Sequence, residues 1–329
     1  MKKRIDWLDE CKGIAIILVV LGHVISGYMN SGLFINEQRI LTTIFNIIYS
    51  FHMTLFFILS GYLFYVAYSK KILNAKVQAV NLIFVYYIFS ILFGTMKLYA
   101  SNITITSIGL IDILQIPIQP IGEFWYLYTL IGFYIIMICI SKKNTNINFI
   151  LLISCFANLL SSRFADSRIY NLLYYFLFFY FGYWLAYNAN RLNKKFITLS
   201  MLITIASLFL TIQFGIVIRI IPIINSIVAL SYSISILNIF WMNVRSKMLS
   251  YFGRHSLDIY IWHSFFTALI RSLFIRMNIN LCISIPINFM MSLVIPLCIV
   301  NVMKKVDCYD VVMNPYKYIR FTKEQKTNC

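Results

Sequence analysis

With 329 residues, 60% of them hydrophobic and only 12% charged, the chain falls well below the charge of a soluble domain, about a quarter of its residues. Its net charge of +17 invites a nucleic-acid partner, but the basic residues cluster between long apolar blocks. Membrane topology and anionic headgroups account for that pattern, and no nucleic acid is expected.

A bilayer-spanning helix needs about 20 residues. Blocks of suitable length lie at about 13–29, 43–66, 77–97, 123–141, 147–161, 170–189, 196–213, 217–240, 256–275 and 281–303. The fold expected is all-α, a polytopic integral membrane protein of about ten transmembrane helices with cytoplasmic N- and C-termini. It forms one domain over 1–329, with a short cytosolic tail from 303, in the plasma membrane. With the N-terminus inside, 21 of the 28 Lys and Arg residues fall at inside positions. The outside keeps Arg39, Lys97, Arg163, Arg168, Arg219, Arg271 and Arg276. An odd span count would break this alternation. The stretch 98–122, broken by Pro117 and Pro120, reads as an outer loop or a re-entrant segment.

In the first block, Lys12 and His23 lie eleven residues apart with no other charge between them. Eleven steps of about 100° return His23 to within roughly 20° of Lys12, three turns along. Asp9, three residues before Lys12, shares the stripe and can pair with it. His23 lies roughly 15 Å into the membrane, where ionisable groups are costly and usually functional. The second block runs inward and carries His52 at much the same depth, so two mid-membrane imidazoles offer a base and an orienting group. Lys70, Lys71 and Lys76 follow on the inner side. Glu123-Phe124-Trp125-Tyr126 opens the fourth block as an interfacial aromatic belt, with Glu123 available to an acceptor hydroxyl. In the ninth block, His263 shares a face with Ser256 and Tyr260 and reads as a helix lock. Asp258 lies near the inner boundary, and His255 reads as a surface residue. The seven cysteines lack metal-ligand spacing, so no metal is expected.

Several of these segments resemble a known family. Arg4-Ile5-Asp6-Trp7-Leu8-Asp9, Lys12-Gly13-Ile14-Ala15-Ile16 and Val19-Val20-Leu21-Gly22-His23 resemble the opening signature of the acyltransferase 3 family. Its pair of a basic residue and a histidine falls on Lys12 and His23. Phe51-His52-Met53-Thr54-Leu55-Phe56-Phe57-Ile58-Leu59-Ser60-Gly61-Tyr62 is similar to the second-helix motif of the fucose 4-O-acetylase-like branch. Phe124-Trp125-Tyr126-Leu127 and Gly253-Arg254-His255-Ser256-Leu257-Asp258 through His263 match later family blocks. The resemblance implies a membrane-bound O-acyltransferase that moves an acetyl group from cytosolic acetyl-CoA to a hydroxyl of a surface glycan or lipid-linked sugar.

On that reading His23 is the general base, while Asp9 and Lys12 organise the donor entrance. His52 orients His23 or stabilises the oxyanion. The chain departs from the family in having Thr54 where a Pro often stands, and Asn81 and Val85-Tyr86 where an Arg and a Pro-Tyr are usual. Lys70, Lys71 and Lys76 are then the candidates for the donor phosphates, as point charges instead of bidentate forks. Trp125 and Tyr126 would stack on the sugar. A transporter or flippase, a non-catalytic subunit of a polysaccharide-synthesis complex, an acyl donor larger than acetyl, an acyl-enzyme route and a homo-oligomer all stay open at this level.

Overall fold

A computed structural model describes residues 5–32, 38–68, 72–99, 109–140, 146–188, 192–215, 222–241 and 245–317. These residues form helices and no strand. In chain order they are α1 (Asp6–Met29), α2 (Gln38–Tyr49), α3 (His52–Tyr68), α4 (Ile72–Tyr99), the short α5 (Leu110–Leu114), α6 (Trp125–Ile140) and α7 (Ile147–Leu160). Then come α8 (Ser167–Tyr187), α9 (Lys194–Phe214), α10 (Pro222–Trp241), α11 (Lys247–Arg254), α12 (Ser256–Arg276), α13 (Leu281–Lys305) and α14 (Tyr309–Met313).

Each of the ten apolar blocks carries a helix, and among the described residues seven stretches are long and apolar enough to cross a membrane. The other three fail for visible reasons. Helix α7 has only 14 residues. Tyr and Trp replace aliphatic residues along α8. Helix α12 carries Asp258, His263, Arg271 and Arg276. The second block is interrupted at Ser50–Phe51, where α2 gives way to α3. Within 98–122, the described part from residue 109 contains α5 and a run of turns tied to the bundle, with the Tyr86 hydroxyl donating to the Ile116 carbonyl.

Helix α1 lies at the centre, packed by α2, α3, α10, α11, α12 and α13. Leu8, Ala15, Ile16, Val19, Val20 and Val24 bury its length. By contrast α9 presents Leu199, Leu202, Ile205, Phe209 and Ile212 on an exposed stripe, as a helix facing lipid does. Lipid tails are as apolar as leucine, so burial alone does not hold helices together there; close backbone approach must. Two glycine pairs supply it. Gly61 lies against the Phe179 carbonyl and Gly182 against that of Ile58, seating α3 on α8. Gly13 meets the Leu249 carbonyl and Gly253 that of Asp9, seating α11 on α1. A Cβ at any of the four would overlap backbone. A stripe on α13 adds hydrogen bonds: Asn288 donates to the Thr267 carbonyl and Ser292 donates to Asn288.

Candidate functional site

Two cavities open on either side of the central helices. The first, about 250 Å³, is lined by His23, Ser26 and Asn30 of α1, Lys97 of α4, Glu123, and Ser264, Thr267 and Arg271 of α12. The second, about 290 Å³, lies toward the other end of α1, with Lys12, Gln78 and Arg254 around walls of Met53, Phe56, Leu59, Leu63, Leu82 and Leu130. We call them the His23 cavity and the Lys12 cavity. Eleven residues along one helix face, about 16 Å, separate the two namesakes.

At the Lys12 cavity, the Lys12 ammonium lies 2.7 Å from Asp9 Oδ1, the i,i+3 pair anticipated from spacing. Glu10, the next residue, is 2% exposed and points elsewhere. Its Oε1 accepts from the Ser246 backbone N–H at 2.9 Å and from the Ser250 hydroxyl at 3.4 Å. It thereby clamps the start of α11, a favourable place for a carboxylate, and so fixes the helix that ends at Arg254. Lys76 is exposed, and Lys70 and Lys71 lie outside the described residues.

The His23 cavity has a different floor. His23 Nδ1 lies 3.9 Å from Glu123 Oε1, and both side chains are about a quarter exposed. The imidazole adjoining His23 is that of His263, with ring centroids 5.0 Å apart. His263 is fully buried; its Nδ1 sits 2.7 Å from the Tyr260 carbonyl, which can only accept. Nδ1 therefore carries the proton, leaving Nε2 as an acceptor with no hydrogen-bond partner among the described residues. His52 is held apart from His23. Its Nδ1 lies 2.8 Å from the Ile48 carbonyl across the α2–α3 break. The Tyr49 ring stands between, 4.6 Å from His52 and 6.4 Å from His23 by centroids. Matching depth did not make them neighbours, because α2 and α3 bend at Ser50 and turn the His52 ring back on its own segment.

The four residues Glu123 to Tyr126 divide, because successive residues of the 3-10 turn Gly122–Phe124 and of α6 point in different directions. Glu123 faces the His23 cavity, and Phe124 packs on Phe93. Trp125 packs between Tyr175 and Phe57, lining neither cavity. Tyr126 faces the Lys12 cavity, its hydroxyl 2.9 Å from that of Ser60. Tyr260 joins the two sides: it lines the Lys12 cavity, and its hydroxyl donates to the backbone carbonyl of Glu123.

Beyond the Lys12 cavity, a partly buried cluster around Asp258 gathers residues that read as separate in the sequence. His255 Nδ1 lies 2.8 Å from Asp258 Oδ2, and the Tyr309 hydroxyl donates to Asp258 Oδ1 at 2.9 Å. Burial, then the neighbouring Asp258, pushes the Tyr309 phenol up, keeping it a donor. This cluster pins the start of α12 to α14. Only chain pairing over 51 residues brings Tyr309 there, and no local signal announces it.

The family model of the acyltransferase domain matches residues 5–302, most of the chain, and the chain belongs to that family. No curated protein and no solved structure matches it. The protein is therefore a multi-pass membrane acyltransferase by family and by fold.

Proposed function

We propose that this acyltransferase takes an acetyl group from acetyl-CoA through the Lys12 cavity, at the cytosolic face of the plasma membrane. It delivers the group to a hydroxyl of an envelope glycan, or lipid-linked sugar, in the His23 cavity. One observation carries the proposal: a cation and an imidazole on the same face of α1 line two different cavities, whose walls are linked by the hydrogen bond from Tyr260 to the Glu123 carbonyl. Both the likeness to the fucose 4-O-acetylase-like branch and the excess of basic residues on the Lys12 side support it.

The Lys12 cavity suits the donor. Its aliphatic and aromatic walls match an acyl-pantetheine arm, while Lys12 and Arg254 at the rim suit anionic phosphates. Asp9 holds Lys12 in place. Lys76, exposed two residues before the cavity-lining Gln78, adds positive charge on this side.

In the transfer step His23 accepts the proton of the acceptor hydroxyl as its oxygen attacks the thioester carbonyl. The tetrahedral adduct collapses, the C–S bond breaks, and the imidazolium returns its proton to the departing thiolate. The Glu123 carboxylate, 3.9 Å from Nδ1, stabilises the imidazolium formed on the way. His263 backs His23 from the buried side. His52 acts at one remove, as a positioning residue that holds Tyr49 against His23.

The test is calorimetry of acetyl-CoA with purified protein in nanodiscs, paired with a labelled-acetyl transfer assay. The expected result is saturable binding, weakened in Lys12→Ala and kept in His23→Ala, with transfer lost in His23→Ala. Absence of acetyl-CoA binding by folded wild type would overturn the proposal.

A further inference from the structure

The His23 cavity holds two cations that the transfer chemistry does not use. Lys97 and Arg271 both line it, and neither has an ion-pair partner among the described residues. The single carboxylate among its lining residues, Glu123, lies nearest His23 and is also within electrostatic reach of Lys97, so two cations share the cavity with one carboxylate.

The other basic residues read as lying on this side are accounted for. Arg168 is tied by its guanidinium to Asp166, and hydrogen bonds from Arg168 hold that carboxyl well below its ordinary range. Arg39, Arg163 and Arg276 are exposed, while Arg219 lies outside the described residues. Among the described basic residues read as lying on this side, only Lys97 and Arg271 are half-buried and line a cavity.

Both are seated against glycines. The Arg271 guanidinium lies against Gly27, where a Cβ would collide with it. The Lys97 ammonium would stand 3.1 Å from a Cβ on Gly122, a residue at φ +52°. Glycine at 27 and 122 therefore gives each cation room to enter from its own helix. Both stand in the last turns of their helices, α4 ending at Tyr99 and α12 at Arg276, and two half-buried cations facing one cavity offer a seat for an anion.

We propose that the His23 cavity is built for an acidic acceptor: a saccharide bearing a carboxylate or phosphate held between Lys97 and Arg271. This rests on the proposed transfer to a glycan hydroxyl, and it names the class of glycan. Arg271 supplies a planar fork that bonds either oxyanion in bidentate fashion, and Lys97 supplies a mobile point charge. Arg271 lies eight residues, about 12 Å, beyond His263 along α12. The anionic group accordingly binds away from the reacting hydroxyl and sets its register against His23, without entering the chemistry. A neutral sugar would leave two cations facing the single carboxylate of Glu123.

The experiment is an array of immobilised oligosaccharides, some bearing uronic acids, some phosphodiesters and some neutral, probed with the full chain in phosphatidylcholine nanodiscs. Wild type and the double variant Lys97→Gln/Arg271→Gln are compared at low and raised salt. Acetyl-CoA binding is measured by calorimetry on the same preparations. The expected result is capture of acidic glycans, weakened roughly tenfold or more in the double variant and reduced by salt. Acetyl-CoA binding should be unchanged. Signal on uronic acids or on phosphodiesters identifies which source supplies the anion.

Three results overturn the inference while leaving the donor site standing: capture of neutral glycans alone, capture of acidic glycans indifferent to the double variant, or no capture by protein that binds acetyl-CoA. Failure of the wild type to bind acetyl-CoA instead removes the transfer proposal, and this inference with it.

Discussion

The two cavities of this protein differ more in chemistry than in size. The Lys12 cavity, about 290 Å³, is an aliphatic and aromatic sleeve with charge at its rim. The His23 cavity, about 250 Å³, gathers an imidazole, a carboxylate, a lysine and an arginine around one space. The difference teaches how one helix can serve two solvents. A thioester arm needs a dry, shaped slot with an anion-binding mouth. A hydroxyl acceptor needs groups that take its proton and hold its polar face. On the proposed function, helix α1 serves both because residues eleven apart share its face.

The comparison can be broken in order of expected effect. Removing the base should cost most: His23→Ala should lower acetyl transfer by about 10²–10⁴-fold with acetyl-CoA binding intact. Wild-type turnover at equal abundance would end the assignment. Glu123→Gln should come next. An opposite charge at about 4 Å in a partly buried site is worth several kcal/mol, so transfer should fall at least about tenfold, again with donor binding unchanged. If Glu123→Gln altered the donor KM instead, the two cavities would not be chemically separate.

On the other side, Lys12→Ala should raise the donor KM by roughly tenfold, the scale of one lost charge-assisted bond, with little change in kcat. A kcat effect without a KM effect would move Lys12 out of the entrance. The smallest effect belongs to Trp125→Phe. The ring packs against Tyr175 and Phe57 and lines neither cavity. Transfer should change less than about twofold, while thermal unfolding shifts by the cost of a trimmed core side chain, on the order of 1 kcal/mol. A large loss of transfer at unchanged stability would return Trp125 to the acceptor.

Much of the fold was legible because helical period and apolar length are local properties. Each of the ten blocks carries a helix, and the Asp9–Lys12 pair follows from spacing alone. The second block reads as one span because its apolar run continues through Ser50–Phe51, where the helix breaks. The candidate site was legible along α1 and obscure across helices. Equal depth linked His23 to His52, yet depth fixes only one coordinate, and the neighbour is His263 on α12. Glu123, Trp125 and Tyr126 read as one belt, but consecutive positions on a helix face different ways.

Glu10 was hidden between Asp9 and Cys11, since its partners lie some 240 residues away. Lys97 and Arg271 did leave a trace. They are basic residues on the side that the charge bias of the sequence depletes, though nothing local marks them as neighbours.

The central claim is that the two cavities open to opposite faces and communicate across the Tyr260–Glu123 contact. The most direct test is thiol labelling in sealed vesicles of known orientation, with the seven native cysteines replaced. Gln78→Cys reports the Lys12 cavity and Asn30→Cys the His23 cavity. A membrane-impermeant reagent should reach Gln78→Cys only from the cytosolic side, with acetyl-CoA protecting it. It should reach Asn30→Cys only from the opposite side, without protection by acetyl-CoA. Labelling of both positions from the same face would contradict the account.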